Sequence, residues 1–297
     1  MDRIKPLPGK RVLLSTALLL LGFMVIGTFA DYPISKALYD PENPFGLFFA
    51  AFGEYPAALG LAAAGTLLLS ARNREKWLRG VLQIIAGCWF LLSGTAMAAM
   101  LPKGYLDIPT WLSVGIGLAC TVLTVWGTLH LCNGADRSTA IRVAVIVLMV
   151  IFADIILVNV IKIPWGRARM RLVAVDERAC FMPWWQLGSG LKETLTAAGV
   201  PAEEFKSFPS GHTANASALM LLCLAPMLRP RLAKNQTLLF GIGLVWTALV
   251  ALSRIMMGAH YLTDTTVGFA IGLGALVGIT HLVFHRAARS SEPAPRV

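Results

Sequence analysis

The chain has 297 residues, of which 56% are hydrophobic and 14% charged, and its formal net charge is +10 at pH 7. With a mean hydropathy of +0.67, this is not a soluble composition, and apolar runs recur along the whole length without leaving room for a separate soluble domain. The basic residues sit in short segments between those runs, which argues for membrane orientation and against nucleic-acid binding.

A helix needs about 20 apolar residues to cross a ~30 Å hydrocarbon layer. Eight such runs are predicted in chain order: Val12–Ala30, Phe52–Ala71, Val81–Met100, Thr110–Cys132, Thr139–Ile161, Thr213–Leu228, Thr237–Ser253 and Leu262–Phe284. They are rich in Leu, Ala, Val, Ile and Gly and do not alternate, so they read as helices and not as barrel strands. The first run ends in Thr28-Phe29-Ala30, which looks like a cleavage site. At about 19 residues it is longer than a usual signal core, and it is read as a retained anchor. Asp31–Asn43 reads as a loop, and beyond the short Ser-Ser-Glu-Pro-Ala-Pro tail there is no repeat or low-complexity tract. The five cysteines form neither a disulfide framework nor a metal-spaced cluster.

Loop charges set an orientation. Arg3, Lys5, Lys10, Arg11, Arg72, Arg74, Lys76, Arg79, Arg137, Arg142, Arg229, Arg231, Lys234, Arg286, Arg289 and Arg296 fall on one side, against Lys36 and Lys103 in the first two loops of the other. The positive-inside rule therefore puts both termini in the cytoplasm and segment 162–212 outside. That segment also carries Arg167, Arg169, Arg171, Arg178, Lys192 and Lys206. Long loops count little for topology, and so basic a loop points to an anionic ligand.

Three polar clusters fall at the external ends of helices: Lys162-Ile-Pro-Trp-Gly-Arg-Ala-Arg169, then Pro209-Ser-Gly-His212, then Ser253-Arg254 with His260 and Asp264. A phosphate ester resists nucleophiles because its oxygens are anionic, so a site must neutralise them and hold phosphorus in line with attack. Lys162, Arg169 and Arg254 offer that charge. Ser210 and Gly211 precede a helix, whose free N–H groups favour an anion. If the last helix begins by His260, Asp264 lies on the same face and can accept a proton from one ring nitrogen, freeing the other to attack phosphorus. His212 is then the proton donor to the leaving oxygen and the later base for water. The two rings must start in opposite protonation states. Nothing in the scheme requires a metal or another cofactor.

These clusters resemble the type 2 phosphatidic acid phosphatase and haloperoxidase superfamily, whose pattern is matched at Lys162, Arg169, Pro209, Ser210, Gly211, His212, Ser253, Arg254, His260 and Asp264. A Pro-Ser-Gly-His string alone is expected by chance in about one of 10³ chains of this length. The family usually has Pro after the first-cluster Arg where this chain has Met170, and Arg167 and Arg171 lie close by, so which arginine fills that place is open. The resemblance implies an all-α polytopic membrane fold. Residues 1–80 would hold two additional helices and residues 81–297 a six-helix phosphatase core with an external catalytic loop at 162–212. It also implies a metal-independent hydrolase in the cell membrane, acting on phosphatidic acid, phosphatidylglycerol phosphate or a polyprenyl diphosphate such as undecaprenyl diphosphate. The same site would serve a lipid-linked phosphotransferase, and a transporter or flippase is the reading from another class. Oligomeric state is not legible.

Other polar residues have plainer readings. A histidine near a membrane interface is commonly satisfied by a backbone carbonyl, and basic residues at helix ends commonly reach for headgroups. Arg167, Arg171 and Arg178 divide evenly among headgroup contacts, substrate contacts and solvated charge. Asp154 and Glu54, ionisable at membrane depth, are functional or structurally paired on equal terms. Gly268, Gly272, Gly274 and Gly278 read as helix packing, and His130, His281 and His285 as ordinary cytoplasmic-end residues.

Overall fold

The computed structural model describes residues 5–289, so Arg3, Arg296 and the Ser-Glu-Pro tail lie outside the described residues, as do the side chains of His285, Arg286 and Arg289. Among the described residues all regular structure is helical. Eight helical stretches are long and apolar enough to cross a membrane. A backbone in hydrocarbon must satisfy its own hydrogen bonds, and these runs do so as helices.

The first helix, α1 (Lys10–Leu38), extends well past Ala30 through Pro33. The loop expected from Asp31 onward is, as far as Leu38, the C-terminal end of this helix, where buried Asp31 has partners across the fold. The second span is broken into α2 (Pro44–Phe52) and α3 (Tyr55–Ser70). Asn43 caps α2 by accepting the Phe45 N–H at 3.0 Å, and Glu54 stands at the break. Then follow α4 (Trp77–Met100), α5 (Thr110–Cys132) and α6 (Arg137–Trp165). The sixth span starts as α9 (Gly211–Ser217), tightens to a 3₁₀ stretch at Ala218–Leu224 and ends in α10 (Ala225–Leu228), after the short loop helices α7 (Met170–Val173) and α8 (Ser189–Ala197). The last two spans are α11 (Gln236–Met256) and α12 (Leu262–Arg289).

The core is built on α6, whose Val143, Ile146, Val150 and Ile151 are buried among Leu67 and Leu68 of α3, Met220 and Leu224 of the sixth span, and Phe269 and Leu276 of α12. Exposed Leu, Val, Ile and Trp on α1, α4 and α5 form the outside, as a chain solvated by lipid requires. Helix α12 lies against α9 at Gly268 and Gly272, where an added Cβ would stand 2.3 Å from the Ser210 carbonyl oxygen and 1.7 Å from Ser217 Oγ. The packing reading of the glycine series holds for these two, whereas Gly274 and Gly278 face open space. That close approach brings the start of α9 and the start of α12 together, and with them the second and third polar clusters.

Candidate active site

Helix α6 carries Lys162 in its last turn and stops at Gly166, whose φ of +62° is the left-handed conformation of a helix C-terminus. The chain then turns so that Arg167 enters the protein. The loop beyond has its own small core of Ala168, Leu172, Ala179, Leu195 and Phe205. Trp165 stacks on Phe208 with ring centroids 4.5 Å apart, and its indole N–H donates to the Trp184 carbonyl at 2.6 Å. A loop with no decodable sequence signature is thereby fixed over the helix ends.

Arg167 is completely buried and none of the three roles expected for it applies. It forms an ion pair with Asp264 and another with Asp31 at 2.9 Å, donates to Thr263 Oγ1 at 3.0 Å and to the Met182 carbonyl at 2.8 Å, and lies over the rings of Tyr261 and Phe181. Asp31 in turn accepts the Thr263 N–H at 2.9 Å and its hydroxyl. Arg171 is held in a two-point pair with Glu204 at 2.9 and 2.6 Å, and Arg178 pairs with Asp176 at 2.7 Å. That leaves Arg169. Its contact with Glu203 is long at 4.0 Å, and Glu203 has Lys206 as its closer partner, a hydrogen bond that also holds its carboxyl below the usual range. The buried Arg169 Nε has no hydrogen-bond partner among the described residues.

Arg254 sits near the end of α11, 2% exposed, with its guanidinium 5.3 Å above the Tyr105 ring. Its Nε and Nη1 also lack a hydrogen-bond partner among the described residues. Unaccepted buried N–H groups on a cation are rare and costly. Three such groups on two arginines match the chemistry of an anion with several oxygens, such as a phosphoryl group.

His260 lies on the turn between α11 and α12, 2% exposed. Its Nδ1 is 2.5 Å from the Ser207 carbonyl oxygen. A carbonyl can only accept, so Nδ1 carries the hydrogen and Nε2 keeps its lone pair. Burial, reinforced by the charges of Lys162, Arg169, Arg254 and His212, holds the ring well below the usual imidazole pKa, and it is neutral at pH 7.

The expectation that Asp264 accepts the His260 proton needs correction. Helix α12 begins at Leu262, so the two residues do not share a helical face, and Asp264 Oδ2 is 3.9 Å from Nδ1. Asp264 instead pairs with Arg167, accepts the Ser207 hydroxyl at 2.5 Å, and accepts the Tyr261 N–H at 2.8 Å as the third residue of a helix reaching back to its cap. A buried carboxylate is stabilised far more by a guanidinium than by a neutral imidazole, and the carboxylate turns accordingly. It fixes Ser207, and Ser207 fixes His260.

Ser210 also differs from expectation. Its N–H donates to the Asp264 carbonyl at 2.9 Å and its Oγ accepts from the Thr213 N–H at 3.3 Å, so it caps α9 and is not aimed at a ligand. Gly211 is the member of that pair beside Lys162, whose Nζ would lie 3.6 Å from an added Cβ. His212 has Nε2 3.1 Å from the Tyr105 hydroxyl and Nδ1 3.6 Å from Glu54 Oε1.

The structure thus gathers Lys162, Arg169, Gly211, His212, Arg254 and His260 around one place, with Asp264 behind His260 and Ser210 behind α9. Sequence reasoning missed Ser207, Tyr105 and Asp31. Asp31 carried a signal, an acidic residue at the end of an apolar run. Ser207 and Tyr105 carried none. Among the described residues no group of His, Cys, Asp and Glu is spaced to hold a metal ion.

Residues 143–288 match the family model described as the PAP2 superfamily. The chain is also similar to phosphatidylglycerophosphatase B of Bacillus subtilis (strain 168), with 36% identity over 74 residues that cover 23% of this chain and 34% of that protein. The match spans about a third of that relative's length. No solved structure matches the chain. All the motif residues fall inside the matched segment, whereas Asp31, Glu54 and Tyr105 fall outside it.

Proposed function

We propose, for a chain that belongs to the PAP2 superfamily over residues 143–288, that it is an integral membrane phosphatase acting on a lipid phosphate or diphosphate through a phosphohistidine at His260. The observation that carries this reading is the set of unaccepted, buried guanidinium N–H groups on Arg254 and Arg169 around a neutral His260 ring.

In this reading the phosphoryl oxygens take the free N–H groups of Arg254 and Arg169 and the Lys162 ammonium, which neutralises the charge that repels a nucleophile. The Nε2 lone pair of His260 attacks phosphorus, and the bond to the leaving oxygen breaks as His212 gives that oxygen a proton. A water then gives a proton to His212 as it attacks the phosphohistidine. The P–N bond breaks with its electron pair returning to Nε2, and phosphate leaves. Asp264 and Ser207 keep Nδ1 protonated throughout, so that Nε2 remains the nucleophile.

The name of the Bacillus relative supports phosphatidylglycerol phosphate as a substrate. Phosphatidic acid and polyprenyl diphosphates belong to the same class, a phosphoryl head on a tail that stays in lipid. We further place the site on the non-cytoplasmic face of the cell membrane with both termini inside. Exposed Cys180, on the catalytic loop, gives the check: a membrane-impermeant thiol reagent labels it in intact cells, and labelling only after lysis would reverse the orientation.

The activity is tested by phosphate release in detergent micelles, with EDTA present, from phosphatidylglycerol phosphate, phosphatidic acid and a polyprenyl diphosphate. Release that His260→Ala abolishes supports a metal-independent lipid phosphatase. Folded wild-type protein that releases nothing from any of the three contradicts it.

A further inference from the structure

We infer that Glu54, at the α2–α3 break and outside the matched family segment, is a positioning residue that orients His212 and supplies the counter-charge for its proton-donating form. This rests on the reading of His212 as proton donor and answers a question that reading leaves open: what makes two histidines in one pocket behave oppositely.

The geometry is specific. Glu54 Oε1 lies 3.6 Å from His212 Nδ1 and accepts a hydrogen bond from Asn215 Nδ2 at 2.7 Å. Asn215 follows His212 by three residues in α9, so the two project from the same side of that helix and the amide latches the carboxylate against the ring. The backbone of Ala50, in α2, also hydrogen-bonds the ring. Nε2 is left for the Tyr105 hydroxyl side, 3.1 Å away, with the tyrosine ring edge-on at 87°. Each nitrogen therefore has a distinct neighbour, and the acidic one is on Nδ1.

The surrounding charges make that carboxylate matter. Lys162 from α6, Arg169 from the loop and Arg254 from α11 are the cations around the His212 ring, and His260 is a further titratable neighbour. Tyr105 is neutral. Glu54 is the acidic group in ion-pair range of His212 among the described residues, and the side chains of the pair are only 16% and 15% exposed, so solvent screens little of their attraction. His260 has no equivalent. Its Nδ1 partner is an uncharged carbonyl, and the carboxylate 3.9 Å away is already paired with Arg167. One ring is paired with a carboxylate that has no Arg or Lys in ion-pair range among the described residues and the other is not, and that difference divides proton donor from nucleophile.

The test uses the full chain in detergent micelles and two phosphate monoesters. One is an alkyl lipid phosphate, whose leaving oxygen needs a proton. The other is a 4-nitrophenyl phosphate bearing an alkyl tail, whose leaving group does not. Glu54→Gln is expected to lower kcat on the alkyl phosphate about 100-fold, with KM nearly unchanged, while the first-turnover burst of nitrophenolate stays within about threefold of wild type. Glu54→Asp is expected to restore part of the alkyl-phosphate rate. If Glu54→Gln does not fold, Asn215→Leu, which unlatches the carboxylate, must show the same selective loss. Equal loss on both substrates, or no loss on either, overturns the proposal. His260→Ala and His212→Ala run beside these: a burst that survives His260→Ala refutes the underlying phosphohistidine reading, and a His212→Ala whose nitrophenolate burst is slowed as much as its alkyl-phosphate rate refutes the proton-donor reading, separately from Glu54.

Discussion

Arg254→Met should make the protein more stable and inactive at once. The two unaccepted N–H groups of Arg254 are buried, and each such group costs about 1–3 kcal/mol. The guanidinium recovers about 0.5–2 kcal/mol from the face of Tyr105. Replacing the cation by an apolar side chain of similar length should therefore stabilise the folded state by roughly 1–4 kcal/mol. The assay is the apparent melting temperature in detergent, with and without inorganic phosphate, beside turnover. Wild type should melt lower than the variant without phosphate and gain stability when phosphate is added, because an anion that binds only the folded state stabilises it by mass action. The variant should melt higher, lose the response to phosphate and lose turnover by about 10²-fold or more, two charge-assisted hydrogen bonds being absent in the transition state. A variant that melts lower than wild type and still responds to phosphate would refute the assignment of those N–H groups to an anion.

Arg167→Met should act oppositely: it leaves the buried carboxylates of Asp31 and Asp264 without their shared counter-ion, a loss of about 3–5 kcal/mol visible as poor expression and a lower melting temperature, which adding phosphate does not reverse. Because burial holds His260 well below its usual pKa, the unfolded chain takes up a proton that the folded one refuses once pH falls below about 6.5. Stability should then drop by up to about 1.4 kcal/mol per pH unit on the acid side and be unaffected above it; melting curves from pH 7.5 to 5 should show a shallower decline in His260→Asn, and parallel curves would contradict it. Gly268→Ala would drive a methyl group against the Ser210 carbonyl, shifting α9 relative to α12, and a 1 Å displacement of the reacting groups predicts a fall in kcat of about 100-fold.

Much of this architecture was legible because length and hydropathy decide a membrane helix almost alone. The boundaries of α5 coincide with expectation, as do the C-terminal ends of the third and sixth spans and the start of α12, and the widest differences are at the end of the first span and the start of the second. What failed was local. Asp31 and Pro33 read as the start of a loop, but the ion pair with Arg167 allows a carboxylate to remain inside a helix end. The second span was expected to begin at Phe52, so helix α2, which precedes the break at Gly53 and Glu54, was not foreseen. In the site, residue type and spacing pointed to phosphate chemistry, but spacing along the chain could not tell which arginine faces inward. Arg167, Arg169 and Arg171 are interchangeable in composition and have three different fates because the left-handed turn at Gly166 and the carboxylates waiting in α1, α12 and the loop sort them. The distance from Asp264 to His260 likewise depends on where α12 begins, two residues later than the direct contact requires.

The central claim is that His260 is the nucleophile, and the most direct measurement is to quench the enzyme in base during turnover of a ³²P-labelled lipid phosphate and map the labelled peptide. The account predicts base-stable, acid-labile label on His260 through Nε2, absent from His260→Ala and accumulating in His212→Ala when the substrate carries a nitrophenyl leaving group. Label on His212, or turnover by His260→Ala at the wild-type rate, would contradict it.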